Sequence, residues 1–115
     1  MQHYRTLLVG FLLLVGISLL AACPAHETIS KILADPGRYQ NKEVSIAGRV
    51  TDSYGALGRG IYEVDDGTGR IWVVTRRGVP GRGARVGTRG RVYNGFSFEG
   101  RNYGTVLEET DRRAK

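Results

Sequence analysis

The chain has 115 residues and a formal charge of +6, from 17 Lys and Arg against 11 Asp and Glu. That length holds one small domain rather than two. One cysteine excludes an internal disulfide, and the basic excess directs the chain toward anionic partners (lipid headgroups, surface polymers, nucleic acid or acidic proteins) without choosing among them.

The N-terminus reads as a targeting segment. Met1 to Thr6 carry one basic residue, Arg5, and Leu7 to Ala22 form an apolar run of 16 residues. Such a run suits a signal peptide and is short of the roughly 20 residues of a permanent transmembrane helix, so residues 1–22 are expected to be a signal-peptide helix. Leu19-Leu20-Ala21-Ala22 directly precede the lone Cys23 and closely resemble the lipobox of bacterial lipoproteins. The resemblance implies cleavage before Cys23 and diacylation of its sulfur by palmitate-type chains. The protein would then be anchored to a membrane without spanning it. Pro24 stands where an Asp would resemble an inner-membrane retention signal, which leans toward the outer membrane in a cell with two. Residues 23–27 then form a lipidated tether.

A domain is expected over residues 28–110. With Thr28 or Glu27 as cap, Ile29, Ile32 and Leu33 recur at i, i+3 and i+4, which predicts a short helix through Ala34. Asp35-Pro36-Gly37 stops it and folds Tyr39 back as a core aromatic. From Glu43 the period becomes two. Val44, Ile46, Gly48 and Val50 point inward and Glu43, Ser45, Ala47 and Arg49 outward, so this is the first strand. Thr51 to Arg59 read as a loop hinged at Gly55 and Gly58.

The most regular stretch runs from Gly60 to Thr75, two β-branched and aromatic runs around Asp66-Gly67-Thr68-Gly69, a turn whose residues tolerate positive φ. Alternation places Tyr62, Val64, Ile71 and Val73 inward and Glu63, Asp65, Arg70 and Trp72 outward. Arg76 to Gly83 is too rich in Gly and Pro for a helix and reads as a loop. A fourth strand follows from Arg85 to Tyr93, with Val86, Thr88 and Val92 inward and Arg85, Arg89, Arg91 and Tyr93 outward. Asn94-Gly95 open a second turn region containing Phe96, Phe98 and Tyr103. Thr105 to Glu108 make a short last strand, and Asp111 to Lys115 a polar tail that frays.

Three pieces together resemble a small bacterial OB-fold domain of the envelope type. They are Ile29-x-x-Ile32-Leu33-x-x-Pro36-x-x-Tyr39-x-x-Lys42-x-Val44-x-Ile46-x-Gly48-x-Val50, then Tyr62-x-Val64-x-Asp66-Gly67-Thr68-Gly69-x-Ile71-x-Val73, and Pro80-x-x-Gly83-x-x-Val86-x-x-x-Gly90-x-Val92. The resemblance implies an all-β fold, a five-stranded Greek-key barrel with a short N-terminal helix. The chain departs from many OB-folds in having no helix between strands 3 and 4.

Catalysis is not expected. The histidines are His3, in the signal, and His26, in the tether, and with Cys23 acylated no Cys/His or Ser/His set remains in the domain. Asp65 and Asp66 are adjacent, so on a strand they face opposite ways and serve the turn. No metal or cofactor is implied, and a haem-handling role would need a histidine on the barrel.

OB-folds bind on the outer face of strands 2 and 3, walled by the loops after strands 1 and 4. The resemblance therefore places Tyr54, Trp72, Phe96, Phe98 and Tyr103 around one cleft, with Arg70, Arg89 and Arg91 near it for phosphate or carboxylate. The competing expectation is that the loop aromatics plug the barrel end. Glu63 and Asp65 on the same face repel a phosphate backbone. These features point to a non-enzymatic binding or scaffolding module of the cell envelope that faces outside the cytoplasm, its ligand a protein or an anionic surface polymer. The alternative is an extracytoplasmic single-stranded nucleic-acid-binding protein.

Overall fold

A computed structural model describes residues 25–115, so the signal segment and Cys23 lie outside the described residues. In chain order the elements are β1 (Ala25–His26), α1 (Ile29–Ala34), α2 (Pro36–Tyr39), β2 (Glu43–Ala56), β3 (Arg59–Asp65), β4 (Arg70–Thr75), β5 (Arg85–Phe98) and β6 (Arg101–Ala114). The sheet runs β1-β2-β3-β4-β6-β5 and closes on itself because β2 also pairs with β5. Within the barrel β4 and β6 are parallel and the other pairs antiparallel, which gives the expected five-stranded Greek key.

Period two builds the core. Val44, Ile46, Val50, Tyr62, Val64, Ile71, Val73, Val86, Val92 and Leu107 meet inside the barrel in one buried cluster. Each such aliphatic residue contributes roughly 1.5–3 kcal/mol relative to exposure, so register is held firmly wherever the inner face is closed. Strand β2 serves two neighbours by coiling, with Glu43 to Arg49 on β5 and Arg49 to Ala56 on β3, and its pairing shifts by one residue at Thr51. Gly48 lies at this bend, where a Cβ would collide with the carbonyl oxygen of Asp65.

Helix α1 closes one end of the barrel. Ile29 and Ile32 are fully buried in the core cluster, while Leu33 is left exposed. Segment 76–84 is irregular, as expected. The cap differs from expectation. Thr28 occupies the N-cap without a side-chain bond, and the helix start is capped from the β3–β4 turn. Asp66 Oδ2 accepts from the Ile29 N–H at 2.9 Å, and Thr68 Oγ1 from the Ser30 N–H at 3.2 Å. Asp66 Oδ1 also accepts from the N–H groups of Thr68 and Gly69 at 2.8 and 3.2 Å. Partial burial opposes ionisation of Asp66, but these bonds outweigh it and hold the carboxyl below the usual range.

Three segments depart from the sequence reading. Thr51 to Ala56 continue β2, and the reversal is only Leu57-Gly58, both at positive φ. Asn94-Gly95 form a bulge instead of a turn. Strand β5 runs on to Phe98, and the reversal falls at Glu99-Gly100. Strand β6 extends well beyond residues 105–108 in both directions. The segment expected to fray is paired, Asp111 with Arg89 and Ala114 with Val86. Part of the tether also joins the sheet. Ala25 and His26 pair with Val44 and Ser45, and the Glu27 N–H donates to the Ser45 carbonyl at 2.9 Å.

Candidate ligand-binding cleft

Two hairpins leave the barrel as arms, one at the β2–β3 reversal and one at the β5–β6 reversal. Cross-strand register sets the outer face between them. One row runs Asp52, Glu63, Trp72, Val106, Tyr93 and the next Tyr54, Ile61, Val74, Glu108, Arg91. Val106 and Ile61 are buried although they face outward, Val106 between Trp72 and Tyr93 and Ile61 in the floor of the cleft.

All five aromatics named from the sequence join one row of rings. Tyr54 stacks on Trp72 at 6.2 Å and 27°, and Tyr103 meets Trp72 edge-on at 5.3 Å. Tyr103 continues to Phe96 at 6.3 Å, and Phe96 stacks on Phe98 at 6.5 Å and 13°. The outer rings stay open to solvent, Tyr54 at 51% and Phe98 at 42%. Rings in these geometries add about 0.5–1.5 kcal/mol per pair beyond area, so the row stiffens both arms. The Tyr54 hydroxyl donates to Asp52 Oδ2 at 2.8 Å, and Arg82 meets Oδ1 at 2.5 Å. The bond from Tyr54, and after it Arg82, hold the Asp52 carboxyl below its usual range, while the bond to Asp52 and its charge raise the Tyr54 phenol.

Beside this row is a cleft of about 550 Å³. Ile61 and Val74 form its floor and Phe96 and Phe98 one wall, while Arg59, Arg76, Arg77 and Arg91 line it against two carboxylates, exposed Glu108 and buried Glu109. Arg77 is held by Asp111 at 3.3 Å, whereas Arg59, Arg76 and Arg91 have no carboxylate within 4.0 Å among the described residues.

The arginines named from the sequence separate. Arg91 lines the cleft. Arg70 lies at the turn end of the β3–β4 hairpin, tied to Asp65 at 3.2 Å and Glu63 at 3.9 Å. Arg89 stands on the β2–β5 side, 3.9 Å from Glu43. Neither lines the cleft. Sequence reading passed over Arg59, Arg76 and Arg77 as loop residues, although a signal was available. A hairpin that pairs Gly60 with Thr75 must bring the residues flanking both ends together.

Sequence reading also missed a buried carboxylate behind the cleft. The Glu109 side chain is 1% exposed. Its Oε1 accepts from the Tyr62 hydroxyl at 2.6 Å and from Arg112 at 3.2 Å, and its Oε2 from Thr75 at 2.5 Å. Thr88 lies 2.9 Å from the same hydroxyl, and the Arg112 guanidinium sits 5.4 Å over the Tyr62 ring. Burial, and then the bond to Glu109, push the Tyr62 phenol far above the ordinary tyrosine range, so it stays a neutral donor. Every buried side-chain nitrogen and oxygen among the described residues has a partner. Among the described residues no three His, Cys, Asp or Glu side chains cluster as metal ligands.

No protein-family model and no curated protein matches the chain. Solved structures are similar to it in fold. An OBody bound to hen egg-white lysozyme gives a TM-score of 0.54 at 20% identity, covering 67% of this chain and 84% of that one. A second OBody, also bound to hen egg-white lysozyme, gives 0.59 at 17% identity over 82% and 97%. Asparaginyl-tRNA synthetase from Pyrococcus horikoshii gives 0.53 at 19% identity over 67% of this chain and 20% of the synthetase. The chain thus spans about a fifth of the synthetase. At these identities the likeness is one of fold, and the fold is the OB barrel.

Proposed function

We propose that this OB barrel is a non-enzymatic binding module anchored to the bacterial cell envelope through acylated Cys23. It faces outside the cytoplasm and takes a protein or an anionic surface polymer in the cleft between its arms. One observation carries the binding reading: an unbroken row of five rings beside a cavity lined by four arginines, three of them without ion-pair partners among the described residues. Charge without local partners is available to a ligand, and exposed rings on a stiff sheet supply contact area at low entropic cost. Two of the similar OB barrels are bound to a protein, which supports a protein partner for this fold. The anchoring rests on the lipobox-like approach to Cys23.

The test is crosslinking of the protein in intact cells followed by identification of what is attached. Capture of one envelope component is expected, with the yield falling when Arg91→Gln and Phe98→Ala are combined. Absence of any envelope adduct would remove the basis of the reading. Mass spectrometry of the mature N-terminus is expected to show a diacylated Cys23, and an unmodified cysteine there would end the envelope assignment.

A further inference from the structure

The cleft holds more cationic groups than a carboxylate uses. One guanidinium satisfies a carboxylate through two parallel bonds, whereas a phosphate group, with three or more acceptor oxygens and up to about two charges, accommodates two or three guanidinia. Arg59, Arg76 and Arg91 line one cavity and pair with no carboxylate within 4.0 Å among the described residues. Ile61, Val74, Phe96 and Phe98 offer apolar contact to whatever carries the phosphate.

The rest of the outer face limits the ligand's size. Asp52, Glu63 and Asp65 lie along it toward the β3–β4 turn, on the same rows as Trp72 and Arg70. A long polyanion laid over the face would meet these three carboxylates, whereas a single phosphate in the cleft meets only Glu108 and the buried, already bonded Glu109, against four arginines. The N-terminus sets the location. Ala25 is already in the sheet, so only Pro24 separates it from Cys23, and two residues span at most about 7 Å. With Cys23 acylated, the barrel stands directly against the bilayer, where phosphate groups are concentrated.

We propose that the cleft is a site for a discrete phosphate group, presented at the membrane surface by a small polar or lipid-linked carrier. This rests on the envelope-anchored binding module proposed above and names the chemistry its cleft selects.

The full chain, carried in detergent micelles by its own anchor, is titrated with glycerol 3-phosphate and separately with acetate. The emission of Trp72, the sole tryptophan, reports binding from within the ring row. Saturable binding of glycerol 3-phosphate is expected, about tenfold tighter than any response to acetate. Arg76→Gln and Arg91→Gln should each weaken it by about tenfold, while Arg113→Gln, outside the cleft, should not. Arg76 is an exposed loop residue, so its replacement reads the site even where Arg91→Gln disturbs the strand.

Competition by phosphatidylglycerol vesicles, and none by phosphatidylcholine vesicles, assigns the phosphate to lipid. Competition by soluble poly(glycerol phosphate) that strengthens with its chain length overturns the proposal, because the ligand is then a polyanion and not a discrete phosphate. Equal response to acetate and glycerol 3-phosphate, or no effect of Arg76→Gln and Arg91→Gln, overturns the proposal. So does affinity for single-stranded oligonucleotides that climbs with their length. An envelope partner captured in cells without any phosphate response would refute the phosphate site and leave the binding module standing.

Discussion

Asp66 joins the turn it sits in to a helix that begins 37 residues earlier. From the sequence it is a turn former, and nothing in the residues around it shows that its second oxygen caps α1. Loss of a helix cap costs typically about 1 kcal/mol. Asp66→Ala is therefore expected to lower unfolding stability in urea by at least about that much, since it also removes the turn's internal bonds. The carboxyl is held below its usual value in the folded state, so its contribution is complete above the unfolded value of about 4 and is lost as pH falls through the folded one. The gap in melting temperature between wild type and Asp66→Ala should narrow as the pH is lowered from neutral to about 3.

Glu109 was equally hidden, because a lone glutamate in a polar C-terminal stretch carries no sign of burial. Truncating it removes the acceptor shared by Arg112, Tyr62 and Thr75 and leaves the mostly buried Arg112 charge with only the Gly78 carbonyl. Glu109→Ala should cost about 3 kcal/mol in the same unfolding measurement, several times the effect of an exposed glutamate such as Glu99.

At the scale of elements, the sequence was readable where one face of a strand is buried and misleading where it is not. The hairpin from Gly60 to Thr75 and the inner residues of β2 and β5 alternate cleanly because the barrel enforces a period of two. The arms extend past the core and bury no inner face, so Thr51 to Ala56, Asn94 to Phe98 and Arg101 to Tyr103 lose that alternation while remaining strand. Asn94-Gly95 has the composition of a turn but forms a bulge. Asn94 there donates to the Pro36 carbonyl at 3.1 Å and accepts from Thr105 at 3.0 Å, pinning the base of the arm to α2.

Two predictions belong to the β2–β3 arm. Leu57 is fully exposed at a φ of 55°. A left-handed non-glycine residue costs roughly 1–2 kcal/mol, so Leu57→Asn should raise stability by about 1 kcal/mol. Val79, from the irregular segment after β4, fits where Gly55 has no side chain. A Cβ on Gly55 would lie 2.9 Å from a Val79 methyl and 3.5 Å from the nearest backbone atom. Gly55→Ala should therefore destabilise the protein, and Val79→Ala should relieve part of that loss in a double-mutant cycle.

The described residues form a closed barrel whose two arms bracket one face. Its topology was legible because three pieces of sequence carry the alternation, the turn and the glycines that a small Greek-key barrel needs. That the five aromatics share one face was legible for the same reason, since the fold fixes which strands share a face, but of the five only Phe96 and Phe98 line the cleft. The arginines were not, because charge on an outward position says nothing about which side of a closed barrel it occupies. Arg70 and Arg91 are both outward and serve different ends of the molecule.

Position-specific photocrosslinking in intact cells tests the cleft most directly, with the reactive group placed at Phe98 on its wall or at Leu33, exposed on α1 at the closed barrel end. A discrete adduct from position 98, reduced by Arg91→Gln and absent from position 33, is the predicted result. Adducts of equal yield from both positions, or none from position 98, would contradict it.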